Sequence, residues 1–208
     1  MTDAGAVFSF GFEQYGKLGH GSLESEVLPR RIQALADTGR RFVAVAAGCY
    51  HALALTEKGH VYGWGDGLDN GHGQEQHTPQ QVAALLGEPV KLVYAYGFYS
   101  CAVTETGELY IWGRGSSFHL GHGVAAPQMT PKRVEALSRV NVAAAAIGTG
   151  HTFVADEDGM VWAFGKRAAL GLSEADAPPR DSEGEDSKDE GCVVRPTLIP
   201  NLRVRTLP

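Results

Sequence analysis

Four segments of the chain repeat one pattern: an apolar residue, an aromatic, a small or apolar residue, a second aromatic, then glycine. They are Val7-Phe8-Ser9-Phe10-Gly11, Val61-Tyr62-Gly63-Trp64-Gly65, Leu109-Tyr110-Ile111-Trp112-Gly113 and Val161-Trp162-Ala163-Phe164-Gly165. Their terminal glycines lie 54, 48 and 52 residues apart. A repeat of about 50 residues restricts a chain to stacked architectures, because each unit is too small to bury its own faces. With its aromatics at i and i+2, each segment reads as a short strand carrying both rings on one face.

Other elements recur in register. A glycine turn follows each strand: Leu18-Gly19-His20-Gly21, Asn70-Gly71-His72-Gly73, Leu120-Gly121-His122-Gly123 and a degenerate Leu170-Gly171-Leu172. Next come a proline, a β-branched residue and a leucine at constant offsets: Pro29, Ile32, Leu35; Pro79, Val82, Leu85; Pro131, Val134, Leu137; Pro196, Ile199, Leu202. A run of small apolar residues, a turn and an alternating strand complete the unit, as in Phe42 to Gly48 followed by His51 to Thr56, and in Val142 to Gly148 followed by His151 to Asp156. The copy between them is shorter and has Tyr99 or Ser100 in place of the histidine. Each unit supplies about four short strands separated by Gly or Pro, and 27 glycines in 208 residues fit a turn-rich all-β chain. Four strands per unit of this length is the pattern of a propeller blade.

Together the aromatic-strand-Gly, Leu-Gly-His-Gly, Pro-x-x-Val-x-x-Leu and Ala-Ala-Gly-x-x-His elements resemble the regulator of chromosome condensation repeat. The resemblance covers nearly the whole chain, in units of approximately 5–59, 60–107, 108–159 and an incomplete 160–208. It implies a seven-bladed β-propeller with four-stranded blades. Seven units of the observed spacing need about 360 residues, so 208 cannot close such a ring. The expected fold is an all-β partial propeller of about four four-stranded blades, either an open arc or one completed by another chain. A piece of a longer propeller, a homodimer of half rings, or a capping partner would each cover the exposed strand edges.

The repeat positions themselves are the candidate site residues. His20, His72 and His122 share one position and His51 and His151 another, but equivalent positions are spread around a ring and need not converge on one metal ion. They are expected to be structural, each imidazole bonding backbone within its blade, as are Gly11, Gly65, Gly113 and Gly165 at the strand ends. Phe10, Trp64, Trp112 and Phe164 are expected to pack between blades rather than stack on bases. His60, His77 and His119 read as surface residues with no evident partner. No nucleophile motif, HExxH, phosphate loop or dinucleotide fingerprint occurs, so no catalytic residue, metal or cofactor is expected.

Charge is uneven. Eight acids against Arg180 and Lys188 fall within residues 173–191 and carry the whole net charge of -6, leaving the rest neutral. About fifteen of these residues are inserted between the fourth glycine turn and Pro196. The composition is that of a mobile surface loop, and Asp181, Glu183, Glu185, Asp186, Asp189 and Glu190 could dock a basic partner, with Ser182 and Ser187 open to phosphorylation. The basic pairs Arg30-Arg31, Arg40-Arg41 and Arg203 with Arg205 are scattered, so nucleic acid is not an expected partner.

Three cysteines without CxxC spacing argue against a disulfide framework, and two of them are expected to be buried. The absence of a long apolar run and of a leader-like start predicts a cytoplasmic or nuclear protein without a membrane span. The resemblance implies an interaction scaffold working through propeller loops, or guanine-nucleotide exchange on a small GTPase with chromatin association. It does not extend to photosensing: the tryptophan-rich Gly-Trp-x-His-Thr element of the family's ultraviolet-B photoreceptor is replaced by Gly48-Cys49-Tyr50-His51 and Gly148-Thr149-Gly150-His151.

Overall fold

A computed structural model describes residues 1–171 and 191–205. The aromatic segments form the strands expected of them: β1 (Phe8–Gly11), β5 (Val61–Gly65), β9 (Leu109–Gly113) and β13 (Met160–Lys166). Each pairs with a proline-bearing strand that follows it: β2 (Glu26–Arg31), β6 (Gln76–Gln81), β10 (Gln128–Arg133) and β14 (Cys192–Arg203). These are outer edge strands, where a residue without an N–H leaves no ladder bond unmade.

The small-residue runs and the alternating strands make antiparallel pairs: β3 (Phe42–Ala47) with β4 (His51–Thr56), β7 (Val90–Tyr96) with β8 (Tyr99–Thr104), and β11 (Val142–Gly148) with β12 (His151–Asp156). The result is three four-stranded antiparallel sheets, β3-β4-β5-β6, β7-β8-β9-β10 and β11-β12-β13-β14, and one two-stranded sheet, β1-β2. Each sequence repeat is therefore shared between sheets. Residues 5–59, for example, supply the outer pair of one sheet and the inner pair of the next. Alanines at 44, 46, 47, 95 and 143–146 keep β3, β7 and β11 slim, and these innermost strands touch their neighbours from sheet to sheet around an axis.

The core lies between sheets. Tyr62 and Trp64 pack on Val7, Ile32 and Leu35 of the two-stranded unit, Trp112 on Leu53, Leu55, Val82 and Leu85, and Phe164 on Tyr99, Ile111, Leu120, Val134 and Leu137. The Pro-x-x-Val-x-x-Leu element acts by ending the outer strand in one helical turn, at Gln33–Ala36, Ala83–Leu85 and Glu135–Leu137, which tucks its leucine under the interface. In the fourth copy β14 runs extended through this point. Ile199 still reaches the outer face of the last sheet, but Leu202 is exposed because no further sheet stands against it among the described residues.

Candidate functional site

The repeat glycines close each sheet at one end. At Gly65, Gly113 and Gly165 φ is 97°, 119° and 102°, and a Cβ would lie 2.6, 2.5 and 2.8 Å from the Cα of His51, Tyr99 and His151, the first residues of the paired strands. Only glycine accepts both the left-handed φ and this approach. Gly11 has the same φ, 112°, but open space around it.

The histidines of the glycine turns bond their own sheet. His72 Nε2 donates to the carbonyls of Gly63 and Gln80, both at 3.2 Å, and His122 Nε2 to Ile111 O at 3.1 Å. His20 Nε2 reaches Ser9 Oγ at 2.9 Å, the equivalent strand position. Burial lowers all three imidazoles below their ordinary value, which keeps them neutral. In the second copy Asn70 replaces leucine and is satisfied on every side, donating to Gly65 O and Gln74 O and accepting from the His72 N–H, each at 2.9 Å.

A latch joins each sheet to the turn before it. Trp64 Nε1 donates to Lys17 O (2.8 Å), and Trp112 Nε1 and Ser100 Oγ both donate to Asp69 O (2.9 Å). Where Phe164 has no N–H, Thr152 Oγ1 donates to His119 O at 2.8 Å instead. Ala52, Ser100 and Thr152 are one repeat position, so hydroxyl and indole substitute for each other.

Inside the second interface His51, Asp69 and Ser100 come together with all three side chains buried. The Ser100 hydroxyl proton is committed to Asp69 O, so Oγ accepts from His51 Nε2 at 2.7 Å. His51 Nδ1 lies 4.0 Å from Asp69 Oδ2, and neither it nor the carboxylate oxygens find a hydrogen-bond partner among the described residues. Burial pushes His51 down to about 4 and Asp69 up to about 7. The residue types are those of a nucleophile triad, but the serine is turned to a backbone carbonyl and all three side chains are buried. Its equivalent in the next interface is Tyr99, whose hydroxyl bonds Gly148 N, Gly148 O and His151 O, with the His119 ring 4.6 Å from its own.

The histidine expectations thus divide. His119 is buried against Tyr99, and His77 pairs with Glu75 at 2.6 Å, so neither is a free surface residue, while His60 meets Arg40. His151 stands at the His51 position but faces no further sheet among the described residues and is half-buried. Phe10 also departs from expectation. Trp64, Trp112 and Phe164 are buried, whereas Phe10 is 61% exposed, with no sheet packed on its face among the described residues. Of the cysteines only Cys101 is buried; Cys49 is exposed and Cys192 half-buried. Among the described residues no three His, Cys, Asp or Glu side chains gather as a metal site. The acidic residues Asp181, Glu183, Glu185, Asp186, Asp189 and Glu190 lie outside the described residues.

The surface feature missing from the sequence reading is an aromatic strip. The turns between inner strands are tied to the residue after each repeat glycine, Asp66 N–H to Tyr50 O, Arg114 N–H to Phe98 O and Lys166 N–H to Gly150 O, at 2.7–2.9 Å. This lines up Tyr50 and Phe98 on one face, ring centroids 5.7 Å apart. Tyr15 stands edge-on to Tyr50 at 5.2 Å, Lys17 lies between Phe12 and Tyr50, and Arg114 sits 4.6 Å over Phe98 while pairing with Asp66 at 3.2 Å. Phe12 is 71% exposed, and Tyr15 holds a φ of 61°, a strained conformation that places its ring in the strip. Tyr50, Phe98 and Gly150 share one repeat position, so aligning the copies residue by residue was the available signal.

Two family models, both described as the regulator of chromosome condensation (RCC1) repeat, match residues 4–55 and 106–155, and 42–74 and 90–118. Curated relatives include the ultraviolet-B receptor UVR8 of Arabidopsis thaliana, 34% identical over 79% of this chain and 38% of that protein. The human E3 ubiquitin-protein ligase HERC2 is 33% identical over 79% of this chain and 4% of its own length. The mitochondrial RCC1 domain-containing protein RUG3 of Arabidopsis thaliana is 33% identical over 83% and 41%. Among solved structures, human WBSCR16 superposes with a TM-score of 0.75 at 29% identity, over 96% of this chain and 48% of that one. Prp20p of Saccharomyces cerevisiae, described with its binding to Gsp1p and histones, gives 0.75 at 27%, over 98% and 49%. The chain spans about half the length of these solved structures and less than half of these relatives. No helix among the described residues is long and apolar enough to cross a membrane. With the models together spanning 4–74 and 90–155, and with blades built as described, the chain belongs to the regulator of chromosome condensation repeat family.

Proposed function

We propose that the protein is a non-enzymatic interaction scaffold that binds partner proteins through the face bearing the aromatic strip. The observation that carries this reading is the strip itself: Phe12, Tyr15, Tyr50 and Phe98, with Lys17 and Arg114 among them, form a connected aromatic and cationic surface on rigid turns. Aromatic side chains and arginine are the residues that dominate protein interfaces, since they remove much area from water at small entropic cost. In this reading the buried His51, Asp69 and Ser100 cluster serves packing between sheets. The acidic residues 181–190 add a second docking element for a basic partner, and the reading places the protein in the cytoplasm or nucleus.

The test is affinity for a partner protein once captured. Tyr50→Ser with Phe98→Ser should weaken binding at least tenfold without shifting thermal stability, whereas unchanged affinity moves the interface elsewhere. Deleting residues 173–191 reads out the acidic element by itself. A second reading, guanine-nucleotide exchange on a small GTPase, is favoured by the likeness to Prp20p and its described binding to Gsp1p. Acceleration of nucleotide release at catalytic protein levels would establish it and end the scaffold-only reading. DNA binding would show as affinity falling steeply with salt.

A further inference from the structure

The turn from β4 into β5 and its counterparts in the next two sheets share one backbone. Gly59, Gly107 and Gly159 have φ of 77°, 79° and 77°, and their N–H groups bond Thr56 O, Thr104 O and Asp156 O at 3.0–3.1 Å. The Thr56, Thr104 and Asp156 side chains each accept the N–H four residues on, at 2.8–3.0 Å. The N–H groups of Glu57, Glu105 and Glu157 then tie the turn to the loop that enters the inner strand, at Arg41 O, Pro89 O and Asn141 O. Backbone, one short polar side chain and a glycine make this scaffold, so it leaves the charge of the other side chains unspecified.

That charge differs sharply between the three. Residues 38–41 with 56–60 hold Arg40, Arg41 and Lys58 against Glu57 alone, an excess of two cations. Residues 86–89 with 104–108 hold Glu88, Glu105 and Glu108 and no Lys or Arg, and residues 138–141 with 156–160 hold Asp156, Glu157 and Asp158 against Arg139. The excess lines a cavity of about 360 Å³ bounded by residues 39–41, 56–58 and His60. Its guanidinium groups are held in place. Arg40 sits 5.7 Å over the buried Tyr62 ring, and Arg41 donates to Asp3 O at 3.1 Å and to Glu57 Oε2 at 3.4 Å. Arg40 also donates to His60 Nδ1, which leaves the imidazole Nε2–H as a further donor. Lys58 is exposed and has no ion-pair partner among the described residues.

We propose that this cavity binds the phosphate monoester of a phosphorylated side chain on a partner protein. Like charges gathered in one cavity repel one another, and an anion that matches their excess removes the repulsion. A carboxylate brings a single charge, whereas a phosphate monoester brings about -1.5 to -2 at pH 7 and three acceptor oxygens, which suit two guanidinium forks and an ammonium. Nucleic acid fits less well. Its phosphates follow one another along a strand, and the corresponding turn of the next sheet presents Glu88, Glu105 and Glu108. No Leu, Ile, Val, Phe, Tyr or Trp side chain lines the cavity to hold a base or another apolar body, so the phosphoryl group is the part recognised and the rest of the ligand lies outside. The cavity is at the Thr56 end of β4, opposite His51 and the aromatic strip, and its ligand is independent of what binds there.

The probe is a pentapeptide of alanines around a central phosphoserine, titrated into the 208-residue protein with amide shifts read by NMR. At about 10 mM, ten times a millimolar Kd, it should shift the amides of residues 39–41 and 56–60. The unphosphorylated peptide should not, and inorganic phosphate should shift the same amides more weakly. Lys58→Glu and, separately, Arg40→Gln should each weaken binding about tenfold or more with thermal unfolding unchanged. Arg139→Glu, at an exposed cation in the corresponding loop of the third full sheet, should leave affinity unaltered. Absence of shifts at those amides, equal binding of the unphosphorylated peptide, or an equal loss with Arg139→Glu overturns the proposal. So does inorganic phosphate binding as tightly as the peptide, which makes the free ion the ligand. An oligothymidylate that shifts the same amides at lower concentration also overturns it, giving the cavity to nucleic acid.

Discussion

Trp112 and Phe10 occupy one position of the repeat and meet opposite surroundings. Trp112 is buried between two sheets with its indole N–H on Asp69 O, while Phe10 is exposed, with no sheet packed on it among the described residues. The same contrast separates Gly113 from Gly11, His51 from His151 and Val93 from Val45. A repeat position thus specifies what a side chain is shaped to do, and the neighbouring sheet decides whether it does it. In a quasi-linear array, stability resides in the interfaces as much as in the units.

The largest effect should come from truncating equivalent rings. Trp112→Ala removes a fully buried indole and should cost about 3–5 kcal/mol in urea denaturation, whereas Phe10→Ala should stay within about 0.5 kcal/mol. Similar losses at the two sites would mean that the face of β1 is covered in solution.

Next is the buried His51–Asp69 pair, which has no counterpart in the last sheet among the described residues. Asp69, raised in the folded state to about 7, stabilises the fold below its unfolded value and loses that contribution as pH rises to about 7. His51, lowered to about 4, contributes above 6.5 and loses this as pH falls to about 4. Between pH 4 and 6.5 the two slopes oppose each other, so the protein's stability should change little there. Asp69→Asn leaves the histidine uncompensated, and stability should then rise by roughly 3 kcal/mol from pH 4 to 6.5, at 1.36 kcal/mol per pKa unit. A flat profile in the variant would show that His51 is reached by water.

Much of this architecture was legible before any coordinates. Aromatics at i and i+2, glycines in register and prolines on outer strands are local consequences of strand geometry, and they identified every sheet. Phe10, expected between sheets from its repeat position, is exposed among the described residues, because position alone does not say whether a neighbouring sheet packs on it. The strip was missed for a related reason. Tyr50 and Phe98 adjoin only when consecutive sheets stack, and Lys17, Arg114 and Phe12 come from loops whose sequences differ between copies. Asp69 and Ser100 were invisible as partners of His51 because they lie 18 and 49 residues away, across an interface.

The finest test compares two glycines of the Leu-Gly-His-Gly position. Gly121 has a φ of 73° and a Cβ there would lie 2.8 Å from the Phe164 ring, while Gly171 has a φ of 63° and no neighbour within 4 Å among the described residues. Alanine at either site carries the left-handed penalty of about 1–2 kcal/mol, but only Gly121→Ala must also push back a buried ring, adding about 1–3 kcal/mol. Subtracting the two values cancels the backbone strain common to both and isolates what the next sheet contributes at one contact. A difference near zero would mean that the Phe164 interface yields without loss, so that rigid packing does not distinguish this interface from the exposed face of the last sheet among the described residues.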